Sequence, residues 1–193
     1  MRKRGHEVDV FTTSINSKES VENYENMTIH RYGTNFRVLT SNISFRMFRE
    51  PVKHYIDIAH THFDIPPGPF TGLWYAKKKK VPLVVTYHGD WIESYGGFVR
   101  RTGIAFHNKY LVDKVLSYAN VIISPSEYYI NESRFLRNYR DKIIVIPHGI
   151  NLGDFDIPYS KEECRKKLGF RLNDNIRVNV QSYLSPRQHC GKA

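Results

Sequence analysis

Residues 81–87 read Val-Pro-Leu-Val-Val-Thr-Tyr, a continuous apolar run that closes on polar residues. Such a run is typical of a strand buried on both faces. The pattern returns at residues 120–124 and again at 142–147, Lys-Ile-Ile-Val-Ile-Pro. Residues 7–13 alternate Val8, Val10 and Thr12 against Glu7, Asp9 and Phe11, which also reads as a strand. Residues 27–32 give a weaker strand, and 55–61 (Tyr-Ile-Asp-Ile-Ala-His-Thr) a further one. Between them, residues 104–119 place Ile104, Leu111, Val115 and Ala119 on one helical stripe, with Val112 and Leu116 beside it. Ser126 is placed to cap the next helix. Buried strands alternating with helices predict an α/β fold, a Rossmann-like parallel sheet with helices on both faces.

The two ends carry their own expectations. Residues 1–8 read as the last turn of a helix, a glycine C-cap at Gly5, and then a strand. A doubly wound domain begins with a strand and a phosphate-facing turn before that helix. A first strand is therefore expected upstream of Met1. Its ~3–4 buried apolar side chains, at ~1.5–3 kcal/mol each, rival the ~5–15 kcal/mol stability of a whole domain. The stretch as written is expected to fold poorly without it. Residues 159–170 read as a linker helix capped by Ser160, and 177–182 as the start of a new strand. The expected division is residues 1–156 as one domain, 157–174 as linker and helix, and 175–193 as the beginning of a second domain.

Charge limits the partners. The formal net charge is +10, much of it in residues 2–4, 77–80 and 161–167. That balance favours anionic partners: nucleic acid, an acidic membrane surface or phosphorylated small molecules. The four lysines of 77–80 read as the end of a helix, where cations complement the dipole. Although 13 Tyr and 11 Phe are present, they are not interleaved with the lysine runs as stacking platforms require, which disfavours nucleic acid. No stretch approaches the ~18 apolar residues of a membrane span. The basic start has no apolar region behind it, and Cys164 and Cys190 make no disulfide framework, so a cytoplasmic setting is expected.

In doubly wound sheets, ligands sit beyond the carboxyl ends of the strands. The residues there are His60-Thr61-His62-Phe63-Asp64, Thr86-Tyr87-His88-Gly89-Asp90, Ser124-Pro125-Ser126 and Pro147-His148-Gly149-Ile150-Asn151. Polar side chains thus gather on one rim while the strand interiors stay apolar, the pattern of a binding cleft. His60 and His62 share one side of a strand, a spacing that suits a metal. No third ligand at suitable spacing, HExxH or CxxC accompanies them, so no metal is expected. His88 precedes Gly89, which lets a ligand approach closely; an acceptor-hydroxyl contact and a plain strand-end hydrogen bond both remain open for it. Gly149 reads as a turn. There is no Gly-x-Ser-x-Gly elbow, Walker loop or GxGxxG.

Taken in order, five segments resemble the family-4-type (group 1) glycosyltransferases of GT-B fold. They are residues 3–10 (Lys-Arg-Gly-His-Glu-Val-Asp-Val), 57–62 (Asp-Ile-Ala-His-Thr-His), 82–90 (Pro-Leu-Val-Val-Thr-Tyr-His-Gly-Asp), 146–151 (Ile-Pro-His-Gly-Ile-Asn) and 184–187 (Leu-Ser-Pro-Arg). The resemblance implies two Rossmann-like domains facing across a cleft, the first holding the acceptor and the second the nucleotide-sugar donor. It implies hexosyl transfer with retention to a lipid-linked or saccharide acceptor, without a metal and with no cofactor beyond the donor. By matching position, His88 is the catalytic candidate, and His60, His62, Gly89 and Asp90 line the acceptor side. Gly149 and Asn151 lie in the loop toward the hinge, and Arg187 meets the donor phosphates. The segment departs from the family after Arg187, where Gln188-His189-Cys190 stand in place of Lys-Gly. The stretch is expected to be a glycosyltransferase fragment inactive by itself; a non-catalytic anion- or nucleic-acid-binding module and an inactive relic stay as alternatives.

Overall fold

The computed structural model describes residues 4–24, 26–38, 41–64, 67–91, 97–149, 152–156 and 158–175. They divide into two compact units, residues 1–148 and 149–193. The expected strand at 177–182 and the segment 184–187 lie outside the described residues.

The larger unit opens at Gly5, whose φ of +80° is the left-handed conformation expected of a glycine cap. Strands β1 (Val8–Thr13), β2 (Ser20–Tyr24) and β3 (Met27–Tyr32) follow. They form a sheet of order β1-β3-β2, with β1 parallel and β2 antiparallel to β3. β4 (Phe36–Val38) and β5 (Ser41–Ile43) make a small antiparallel hairpin, and α1 (Phe45–Arg49) comes next. A 3₁₀ turn at Pro51–Lys53 then leads toward β6 (Ala59–Phe63).

From β6 onward the chain alternates as the sequence predicts. The order is α2 (Gly68–Lys79), β7 (Leu83–Tyr87), α3 (Phe98–Phe106), α4 (Val112–Tyr118), β8 (Val121–Ser124), α5 (Glu127–Glu132) and β9 (Ile143–Val145). β6, β7, β8 and β9 pair in that order, every pair parallel. This is the α/β arrangement expected, a parallel sheet flanked by helices. The strands fall into separate sheets, and no described strand pairing joins β1 to β6.

The core lies around β7. Leu83, Val85 and Tyr87 are buried completely or nearly so, and Ile122 of β8 joins them. Of the predicted stripe, Ile104, Val112, Val115, Leu116 and Ala119 are buried, while Leu111 is half-buried. A π-helical turn at His107–Leu111 interrupts that helix and turns His107 and Asn108 inward as well. The lysines end α2 as expected, with Lys77, Lys78 and Lys79 in its last turn and Lys80 left-handed at φ 58°.

Two strand expectations are corrected. The strand read at 55–61 forms at Ala59–Phe63, because residues 51–58 are spent on the 3₁₀ turn and its exit, leaving Tyr55 and Ile58 exposed. The run at 142–147 was expected to be buried on both faces. β9 is the edge of its sheet, and Ile144 and Ile146 are each 51% exposed.

In the smaller unit, Leu152–Phe155 form a 3₁₀ turn and Lys161–Lys167 form α6. Ser160 caps α6 as expected: its hydroxyl accepts from the Glu163 backbone N–H at 3.2 Å, while the Glu163 carboxylate accepts from the Ser160 N–H at 2.7 Å.

Candidate functional site

β6 alternates strictly in burial. Ala59, Thr61 and Phe63 face inward, and His60 and His62 face out. α2 makes this register firm, because Gly72 sits so close to the strand that an added Cβ would meet the Thr61 Cβ at 2.8 Å. The parallel pairing sets His60 beside Val84 and His62 beside Thr86 on β7. With a side-chain period of two, the residue after next, His88, leaves β7 on that same face.

The imidazoles expected to line one rim are therefore brought together. His62 Nδ1 lies 2.8 Å from His88 Nε2, and the two rings stack at 5.1 Å with 18° between their planes. His60 and His62 are 4.9 Å apart between centroids, and His60 Nε2 shares a 2.8 Å hydrogen bond with the Thr86 hydroxyl. His148 continues the row, stacked 6.0 Å from His88 at 5°. Partial burial, followed by the nearby imidazoles, holds the pKa of both His60 and His62 below the ordinary histidine value. His60 and His62 thus favour the neutral imidazole, which can accept as well as donate a proton.

Asp90 is engaged on the protein side. Its carboxylate accepts hydrogen bonds from the hydroxyls of Tyr87 (2.9 Å), Tyr129 (3.2 Å) and Ser133 (2.7 Å), and from the Arg134 N–H (3.1 Å). Its own N–H donates to the Tyr129 hydroxyl. Burial, and then the Asp90 charge, push the Tyr129 phenol up to about 12 and the Tyr87 phenol higher still, so both remain protonated donors. This network pins the turn after β7 and so fixes the exit of His88. Ser126 supports it from below: its side chain caps α5 by accepting from the Tyr129 N–H at 3.1 Å.

Gly89 lies between these two groups; an added Cβ there would meet the Tyr129 hydroxyl at 3.6 Å, an ordinary contact. Gly149 belongs to the smaller unit, has nothing within 4 Å of an added Cβ and does not use a left-handed φ. Asn151 and Arg187 lie outside the described residues.

The sequence did not single out Tyr129 or Ser133, whose signal was only the helix cap three residues before Tyr129. Nor did it mark His148 as more than a rim residue. His107 went unnoticed within the apolar stripe. Its ring is stacked on Trp91 at 4.9 Å, and burial holds its pKa down.

Comparison with known proteins agrees with the motif order. The pattern of Glycosyltransferase Family 4 matches residues 1–154. Alpha-monoglucosyldiacylglycerol synthase of Streptococcus pneumoniae is 32% identical over 182 residues, 89% of this chain and 40% of that protein. D-rhamnosyltransferase WbpZ of Pseudomonas aeruginosa is 28% identical over 84% of the chain and 42% of its own length. O-antigen chain mannosyltransferase C of Escherichia coli is 26% identical over 79% of the chain and 39% of its own length. The chain thus spans less than half the length of the curated relatives it matches.

Proposed function

The chain belongs to Glycosyltransferase Family 4, and from that premise we propose that its larger unit is the acceptor side of a hexosyltransferase. The enzyme moves a hexosyl group from a nucleotide sugar to a lipid-linked or saccharide acceptor with retention at the anomeric carbon. The acceptor hydroxyl oxygen bonds to the anomeric carbon as the bond to the nucleoside diphosphate breaks, and the hydroxyl proton passes to the departing diphosphate. The donor is a substrate, so the reaction needs no resident cofactor.

The observation that carries the reading is the convergence of His60, His62 and His88 on one face at the carboxyl ends of two parallel strands. With His88 Nε2 engaged by His62, the nitrogen left for substrate is Nδ1, and its partner is the acceptor hydroxyl. His60, held by Thr86, and His62 line the acceptor. Gly89 keeps the backbone beside it unobstructed, and Asp90 positions the turn. By family position Gly149 and Asn151 are assigned to the loop before the donor half and Arg187 to the donor diphosphate, Asn151 and Arg187 lying outside the described residues.

A membrane-peripheral, cytoplasmic placement fits the exposed start of α3. Phe98 is 81% exposed, Val99 77% and Phe106 58%, with the cations Arg101 and Lys109 on the same helical stretch. Apolar and basic side chains together suit the surface of an anionic bilayer. No described helix is long and apolar enough to cross a membrane. The relatives' names, a monoglucosyldiacylglycerol synthase and an O-antigen chain mannosyltransferase, suggest diacylglycerol and O-antigen saccharides as the acceptors to try.

Histidine footprinting tests the reading. Diethyl pyrocarbonate should modify His88 and His62 in the free chain, and a true acceptor should protect them while His6 stays reactive. Protection confined to other histidines, or at none with either acceptor class, contradicts it.

A further inference from the structure

A second histidine cluster lies apart from the rim. Among the described residues, Asp9, His30 and His54 each offer one ligand atom, and these atoms all fall within 4.8 Å of one another. They come from three places in the chain. Asp9 is near the start of β1, His30 is in β3, and His54 closes the 3₁₀ turn before β6. The parallel register pairs Asp9 with Thr28 and Phe11 with His30, so Asp9, Phe11 and His30 share one face of their sheet.

The arrangement is preorganised. Asp9 Oδ1 is 2.9 Å from His30 Nε2, with only 11% of the His30 side chain exposed. His54 is held through its backbone, its N–H donating to the Pro51 carbonyl (3.0 Å) and its carbonyl accepting from the Tyr75 hydroxyl (3.0 Å). Among the described residues its ring nitrogens make no hydrogen bond. Phe11 stacks on His30 at 4.9 Å and meets His54 edge-on at 5.2 Å, forming an apolar wall behind both rings. The His30 and His54 rings are themselves 4.7 Å apart.

We propose that Asp9, His30 and His54 form a divalent transition-metal site, best suited to zinc, that ties β1 and β3 to the segment entering β6. Two imidazoles and one carboxylate are a ligand set zinc accepts, with a fourth position left for water or another oxygen. Zinc–ligand bonds of about 2.0–2.2 Å put neighbouring ligand atoms roughly 3.3 Å apart in tetrahedral geometry. The cluster reaches that spacing by side-chain rotation, the Asp9–His30 pair opening slightly and His54 closing in. Coordination replaces the Asp9–His30 hydrogen bond, and His30 binds as the neutral ring with its proton on Nδ1. No described strand pairing joins the two sheets here, so a metal at this point supplies a link that the backbone does not. The proposal is independent of the sugar-transfer reading, since none of the three residues belongs to the rim.

Zinc and cobalt(II) binding to the chelator-treated chain tests it. The His60→Ala/His62→Ala/His88→Ala/His148→Ala background removes the competing imidazoles of the rim. The expected result is one saturable zinc per chain, visible cobalt d–d bands of a low-coordinate site, and a thermal midpoint that rises with zinc. His54→Phe, which keeps the aromatic packing, and Asp9→Asn, which keeps the side-chain shape, should each weaken binding by at least about tenfold, with unchanged far-ultraviolet dichroism. If His54→Phe fails to fold, Asp9→Asn decides. Zinc affinity equal to the parent's in a folded variant, or no saturable binding in the parent background, overturns the proposal.

Discussion

His62 and His88 face each other nitrogen to nitrogen, 2.8 Å apart, across two parallel strands. One hydrogen bond between two imidazoles needs one proton between them, so adding a second charge to the pair is opposed. Burial holds the pKa of His60, His62 and the buried His107 below the ordinary histidine value of about 6.5.

The sign of the resulting pH dependence follows from linkage. Well above the ordinary histidine pKa of about 6.5 these rings are neutral in both folded and unfolded chains. As pH falls below that value, the unfolded chain binds protons first and folding loses stability. The urea midpoint should be flat from pH 8 to about 7 and decline toward pH 5. His60→Gln/His62→Gln should flatten the decline, whereas a midpoint that rises toward acid contradicts it.

Gly72 controls how closely α2 lies on β6. In an exposed helix, Gly→Ala gains about 0.5–1 kcal/mol. Here the added methyl meets Thr61 Cβ at 2.8 Å. Gly72→Ala should therefore destabilise by about 1–3 kcal/mol, the usual cost of overpacking, and should shift the imidazole resonances of His60 and His62. Chemical denaturation with a parallel histidine spectrum reads both effects.

Asp90 gathers three hydroxyl donors and one backbone N–H. Asp90→Ala removes the acceptor shared by the Tyr87, Tyr129 and Ser133 hydroxyls, and a buried donor that loses its acceptor costs about 1–3 kcal/mol. Asp90→Asn retains the shape and part of the bonding and should cost less. A thermal midpoint lower for Ala than for Asn, with the His88 signal displaced in both, is the expected order.

The α3 surface predicts vesicle binding that depends on anionic lipid. Arg101→Glu and Lys109→Glu should each weaken sedimentation with phosphatidylglycerol vesicles by severalfold, from about 1 kcal/mol per basic residue near the surface. Phe98→Ser should weaken it further without changing the thermal midpoint. Equal binding to neutral and anionic vesicles contradicts this placement.

Much of the fold was legible because the strands from β7 onward are short apolar runs, and because Ile104, Val112 and Val115 keep a helical period. β2 and the β4–β5 hairpin were not, since their exposed polar residues resemble loops and only pairing makes them strands. The start of β6 was misplaced because Tyr55, Ile56 and Ile58 look strand-like, while the turn at Pro51–Lys53 decides where pairing begins. The rim imidazoles were readable from their positions at strand ends. Asp9, His30 and His54 were not, because strand register and a distant turn bring them together, and no local spacing announces that.

The imidazole nitrogen spectrum of the ¹⁵N-histidine-labelled chain, titrated with candidate acceptors, tests the central claim most directly. The account predicts saturable shifts at His62 and His88, lost in His88→Ala, with His30 and His54 unmoved. Acceptor-dependent shifts that spare His62 and His88, or persist unchanged in His88→Ala, would contradict it.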